Sequence, residues 1–362
     1  MRHWKWERAG SSPARQAMAE RERHCDESFC LFGAQVLQKR LQALTREIAG
    51  VREAKDLEYV HRMRVASRRL RAAFAIFEPC FPAAQMGRWN RRIKRITRAL
   101  GAARDTDVQI AFVEEFLSRI ETQRERRGVE RLLLRLRQRR QAFQADVIKT
   151  LDRLESSGVL RDMEETLLQR LVEARVNQTP ETSPWMYRRA CEMITLRLEE
   201  MLAYEVYIHQ PEHITQLHSM RIAAKRLRYT MEIFEPLYNG EMKKHIQVVK
   251  TVQEMLGDIH DADVWAEQLP VFIAEERART REYCGSEAPA RRLLPGLEAL
   301  RADRQAFRQQ RYKEFLSYWK DLGRDDVWGA LRTLVLERAQ EAVRQTSLPE
   351  AVLELAPDPA SD

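Results

Sequence analysis

Apolar residues recur every three or four positions along most of the chain, the period of helices that bury one face. Leu31, Ala34, Leu37, Leu41, Leu44 and Ile48 form one such series, predicting a helix from Ser28 to about Val51. Ala190, Ile194, Leu198, Met201 and Leu202 form another after Pro184. Each is followed by a helix ending at a proline: Leu57 to Glu78 before Pro79, and His213 to Glu235 before Pro236. Further helices are predicted over 85–100 and 241–256, closed by Gly101 and Gly257 in the place of a C-terminal cap. The next helices begin near Asp105 and Asp261 as N-caps and run to about Arg127 and Arg281. A helix from Val129 to Leu154, a break at 156–158 and a shorter helix to Val176 complete the first part, and 291–322 and 325–346 complete the second.

The two proline-stopped helices are copies. HRMRVASRRLRAAFAIFEPCF begins at His61 and HSMRIAAKRLRYTMEIFEPLY at His218, 157 positions later. The repeat predicts an all-α protein of two pseudo-symmetric helical bundles around a shared basic groove or channel. The divisions expected are an N-terminal arm (1–27, with Trp4 and Trp6 tacked onto the body), a first repeat (28–176), a linker (177–184), a second repeat (185–346) and an acidic tail (347–362).

Within each copy charge and packing occupy different faces. At about 100° per residue, His61, Arg64, Arg68 and Arg71 fall within roughly 80° of arc, as do His218, Arg221, Lys225 and Arg228. Nearly opposite lie Met63, Ala66, Leu70, Phe74 and Phe77, matched by Met220, Ala223, Leu227, Met231 and Phe234. The helix after the first copy adds Arg91, Lys94, Arg95 and Arg98 on one side.

Net charge is only +8, from 62 Lys and Arg against 54 Asp and Glu, which alone implies no polyanionic partner. Its distribution changes that picture. From His61 to Arg104, Glu78 is the only acid among twelve lysines and arginines. Packing two such helices together without a counter-anion brings like charges close, which an anionic ligand relieves. Each stripe is about 15 Å long at 1.5 Å per residue, matching a row of phosphates better than one small ion. Beside these cations each histidine is expected below its usual pKa when the site is empty, and binding is expected to take up a proton.

Other chemistries fit poorly. Cys25, Cys30, Cys80, Cys191 and Cys284 match neither a disulfide framework nor a zinc set, and are expected unpaired in a reducing cytoplasm. No signal-like h-region or apolar run of membrane-spanning length occurs, so a soluble protein with no membrane partner is expected. His218, His260, Asp261 and Asp263 are similar in type to the histidine-aspartate metal phosphohydrolases, but Arg104 stands where His260 does in the other repeat. Asp107 and Asp263 are read instead as orienting arginines of the stripes. No glycine-rich nucleotide loop or nucleophile elbow is present, so no catalytic residue, metal or cofactor is assigned.

HRMRVASRRLR with LGAARDTDV, and HSMRIAAKRLR with LGDIHDADV, resemble the CHAD domain, the conserved histidine α-helical domain, over about 28–346. The resemblance implies two helical bundles around a basic channel that binds inorganic polyphosphate, with association to polyphosphate granules. Position by position it implies His61, Arg64, Arg68, Arg71, His218, Arg221, Lys225 and Arg228 as ligand residues. Lys94 and Lys250 align in the following helices; Arg91 and Arg98 belong to the first half only, because Gln247 and Glu254 stand in their places. Some family members carry an N-terminal triphosphate-tunnel catalytic domain, which the residues before the first helix are too few to form. A stand-alone, non-enzymatic polyphosphate-binding module is therefore expected. RNA or DNA is the alternative partner, disfavoured because no aromatic residue shares either cationic arc for base stacking. A metal-dependent polyphosphate hydrolase is the third reading.

Overall fold

The structure is a computed structural model that describes residues 26–347, so the expected N-terminal arm, apart from its last two residues, and all but Ser347 of the expected tail lie outside the described residues. Those described form eleven α-helices joined by short turns, with no strand among them. In order they are α1 (Glu27–Thr45), α2 (Ile48–Glu53), α3 (Glu58–Phe77), α4 (Ala83–Arg119), α5 (Gln123–Glu155), α6 (Val159–Val176), α7 (Pro184–Leu202), α8 (Ile214–Phe234), α9 (Met242–Cys284), α10 (Leu294–Arg324) and α11 (Val327–Ser347). The protein is all-α, as its apolar period predicts.

The copied helices are α3 and α8, and their apolar faces bury as expected: Met63, Leu70, Phe77, Met220, Leu227 and Phe234 are inaccessible to solvent. Pro79 and Pro236 end them in short 3₁₀ turns, Glu78–Cys80 and Glu235–Tyr238, because proline offers no N–H to continue the α ladder. Helix starts follow the same local chemistry. Asp26 Oδ1 accepts from Phe29 N at 2.9 Å at the start of α1, and Ser183 Oγ from Met186 N at 3.2 Å at the start of α7.

Both repeats contribute to the larger of two cores. Phe29 of α1 lies 5.1 Å from Phe77 and 6.5 Å from Phe234, ring centre to ring centre, so an aromatic cluster joins α1, α3 and α8. A smaller core at the far ends of α4, α5, α9 and α10 gathers Val113, Leu132, Trp265, Leu269 and Leu300. There the backbones of α5 and α10 nearly touch. A Cβ on Gly128 would overlap the Leu293 carbonyl, and one on Gly296 the Glu125 carbonyl.

Several expectations need correction: the helix expected to run to Val51 is two, α1 and α2, and the break expected near Arg127 falls at 120–122. Gly101 and Gly257 do not cap helices. Helices α4 and α9 run through them for 37 and 43 residues, and neither glycine has positive φ. A mid-helix glycine costs about 1 kcal/mol against alanine, which the buried residues beyond it, Ala103 and Val113 in α4 and Ile259 and Trp265 in α9, outweigh. The glycine that does close the C-terminus of a helix is Gly285, at φ 69°, whose N–H donates to the Arg281 carbonyl at 2.8 Å. Asp105 and Asp261 are consequently helix-interior residues, not N-caps. Nor are all cysteines unpaired: Cys30 of α1 and Cys80 of the turn after α3, with Cα atoms 5.2 Å apart, form a disulfide. Their separation of 50 residues gives no sequence signal, because only the packing of α1 on α3 brings them together.

Candidate anion-binding site

Helices α3 and α8 pack against each other, and Arg69 of α3 donates to Glu232 of α8 at 3.0 Å. That contact brings the two stripes to one place. Arg68 lies within electrostatic reach of Arg64 and Arg228, and Lys225 within reach of Arg68, Arg221 and Arg64. Arg64, Arg68, Arg221 and Lys225 thus form one cationic cluster drawn from both repeats.

The cluster is strained electrostatically. Lys225 is half-buried, and burial first, then Arg68, Arg221 and Arg64, pushes its ammonium down to about 7. Burial lowers Arg68 and Arg221 as well. Two aspartates provide counter-charge: exposed Asp105 accepts from Arg64 at 3.0 Å, and Asp261 acts on Arg221 from a distance. The Arg221 Nε is buried and unbonded. A buried donor left without a partner costs about 1–3 kcal/mol, so this arrangement favours any anion that can reach it.

The histidines differ. His61 is lowered by burial, then by Arg104, with Arg64 and Arg62 adding smaller effects. His218 is lowered by burial, then Arg221 and Lys225. Its Nδ1 lies 3.1 Å from Nδ1 of His260, which burial, Arg221 and His218 hold at about 4, so at neutral pH one neutral ring donates to the other. Burial, not the neighbouring cations, is thus the largest cause at both.

The remaining predicted residues lie outward. Arg71 is half-buried, with Nε donating to Asn90 Oδ1 at 3.3 Å, and Arg98 is close enough to repel it. Arg228 bonds Gln253 at 3.1 Å and Glu232 at 3.0 Å. Arg91, Lys94 and Arg98 are exposed along α4, and no ion pair forms at them among the described residues. Lys250 is instead 3.8 Å from Glu254 of its own helix.

The aspartates exchange roles relative to expectation. Asp107 is buried and accepts from Arg140 of α5 at 2.6 Å, and buried Asp263 pairs with Arg308 of α10. Both orient arginines, but of the outer helices, not of the stripes. Asp105 and Asp261, two residues earlier, face the stripes. Helix α4 runs unbroken through this region, and at 100° per residue a step of two turns the side chain through 200°. The sequence motif carried both aspartates; which one met the cations depended on that continuity. Arg104 and His260, which align with each other, lie beside His61 and His218 respectively, a placement that the packing shows.

The model of the CHAD domain matches residues 35–270, well over half of the chain. The protein belongs to the CHAD domain family. Among solved structures, the CHAD domain from the plant Ricinus communis is similar at 26% identity, with a TM-score of 0.54, over 80% of this chain and 92% of that one. PptA from Streptomyces chartreusis shares the fold at 14% identity, with a TM-score of 0.55, over 80% and 98%. No curated protein is matched by the sequence. Among the described residues of this CHAD protein, no helix is long and apolar enough to cross a membrane.

Proposed function

We propose that this CHAD protein binds inorganic polyphosphate without transforming it, in the groove where α3 and α8 bring their stripes together. The observation that carries the reading is the clustering of Arg64, Arg68, Arg221 and Lys225, with Lys225 held at about 7 by burial and four guanidinium groups. A linear polyanion relieves that repulsion and offers acceptors to the unbonded Arg221 Nε. The exposed cations of α4 extend the path beyond the groove. Arg71 and Arg228 mark its flanks, His61 and His218 its edges, and Lys250 adds a weaker contact because Glu254 competes for it.

Binding is linked to protons. Bound phosphate raises the free-state pKa values of Lys225 and the two histidines, so protons are taken up on binding. Affinity is therefore full below the free-state values and falls as pH rises through them: below 6.5 for the histidines, and from about 7 upward for Lys225. With about six charges neutralised, log affinity falls by roughly 4 per log unit of salt, by analogy with single-stranded nucleic acid. Titration with polyphosphate of defined length across a salt series, with RNA as competitor at equal phosphate concentration, tests the reading. A steep slope with polyphosphate displacing RNA is expected. A flat slope overturns the electrostatic mechanism, and RNA displacing polyphosphate overturns the choice of ligand.

A further inference from the structure

On the other flank of α3 lies a cleft of about 770 Å³, between α1, α3 and the last turn of α8. That volume is in the range of small-molecule sites, which run from about 300 to 1,000 Å³. Its apolar lining comes from Val36, Ala43, Val65, Ala66, Ile233 and Pro236. Its polar lining includes three acids, Glu47, Glu58 and Glu232, and the cations Lys39, Arg40, Arg62 and Arg69.

Most of that charge is matched internally. Arg62 donates to Glu47 at 2.8 Å, and Arg69 to Glu232 at 3.0 Å. Glu232 also accepts from Arg228 at 3.0 Å, so both its oxygens are engaged. Arg40 is left over. Its Nε is buried without a hydrogen-bond partner, and burial followed by repulsion from Arg69 lowers the guanidinium to about 10 despite the attraction of Glu232. His61, which lines the same cleft, also has a buried Nδ1 without a partner. Two unsatisfied polar atoms therefore border one partly apolar cavity.

The second repeat shows the same position satisfied. At the offset of 157 that separates the copies, Arg197 of α7 corresponds to Arg40 and Glu200 to Ala43. Arg197 Nη1 contacts the two oxygens of Glu200 at 2.6 and 2.7 Å. One acid three residues on quenches the guanidinium there, and alanine leaves it open in α1.

From this geometry we propose that the cleft between α1, α3 and α8 is a second binding site, absent from the other repeat, for a small amphipathic anion whose acidic head meets Arg40 and whose apolar body lies along Val36, Val65 and Ile233. A carboxylate and a phosphate monoester share that chemistry. The site is independent of the polyphosphate groove in its ligand and in its key residue, and touches it at His61 and through the Glu232–Arg228 pair.

The test uses the full chain. Fluorescence of 8-anilinonaphthalene-1-sulfonate, an aromatic anion, reports occupancy, with decanoate, decyl phosphate and decyltrimethylammonium as competitors. Variants are Ala43→Glu, which copies the Arg197–Glu200 arrangement at an exposed position, Arg40→Gln, and Arg40→Lys, which keeps the charge. Helicity and melting temperature establish that each is folded. Both ten-carbon anions should displace the dye, and the cation with the same tail should not. Ala43→Glu and Arg40→Gln should each weaken anion binding at least tenfold, with Arg40→Lys recovering part and polyphosphate affinity within twofold of wild type in Ala43→Glu. Tighter binding of decanoate identifies a carboxylate head, and tighter binding of decyl phosphate a phosphate head. Equal displacement by the cation, unchanged binding in folded Ala43→Glu and Arg40→Gln, or a parallel loss of polyphosphate binding in Ala43→Glu overturns the proposal.

Discussion

The two repeats use one helical pattern and dispose of their charge differently. In the first, the helix after the stripe exposes Arg91, Lys94 and Arg98 with no ion pair at them among the described residues. In the second, Gln247 and Glu254 replace two of these cations, and Glu254 lies 3.8 Å from the third, Lys250. The same contrast recurs on the first helix of each repeat, where Arg40 is unmatched and Arg197 is held by Glu200. A helix can keep its packing face intact while single acids three or four positions from a cation decide whether that cation is available. Packing and availability are set by different faces. On the proposed reading the first half supplies the exposed cations, and the second adds Arg221 and Lys225 where the stripes meet.

The strongest way to break this comparison is to reverse charge where both halves contribute equally. Arg68→Glu with Arg221→Glu should lower polyphosphate affinity at least a hundredfold, since each charge-assisted contact contributes about 1.5–3 kcal/mol. Calorimetric titration checks it, and a loss below tenfold removes these helices from the site. The difference between halves is sharpened by replacing Arg91, Lys94 and Arg98 together with glutamine. Affinity should fall about tenfold and the salt slope should flatten by roughly 2, from three lost phosphate contacts. Glu254→Arg, which makes the second half resemble the first, should act oppositely and raise affinity about threefold. If neither set changes the slope, the exposed cations of α4 are ordinary solvated charges. The smallest effect is on pH dependence. Lys225 loses its proton from about 7 upward in the free protein, whereas arginine in its place stays charged. Lys225→Arg should therefore remove most of the fall in affinity between pH 7 and 9 while leaving the fall that begins below 6.5, which belongs to His61 and His218. A decline between pH 7 and 9 that survives the substitution assigns the linkage to another group.

Much of the fold was legible because local rules wrote it. The period of the apolar positions placed α3, α7 and α8 to within a few residues but ran α1 and α2 together as one helix to Val51, and Pro79 and Pro236 marked the ends of the copied helices. The break before α6 was visible in Ser156, Ser157 and Gly158, the last at φ 69°. The candidate site was legible in part for the same reason: a stripe on one helix follows from spacing alone.

Other features depended on contacts between residues far apart. Gly101 and Gly257 look like helix stops in isolation, and only the burial of residues beyond them carries α4 and α9 through. Cys30 and Cys80 pair because α1 packs on α3. Asp105 and Asp107 are equally plausible partners for a stripe until an unbroken helix turns one toward Arg64 and the other toward Arg140. By itself, then, the sequence determined most of the helices and the face that the copied stretches of α3 and α8 assign to charge, because these rest on periods of three or four residues. Tertiary structure decided which charges meet, which are cancelled and which are stranded, because Coulomb interactions and desolvation depend on distances in space. The depressed Lys225 and the unpaired Arg40 exist only once the helices are packed.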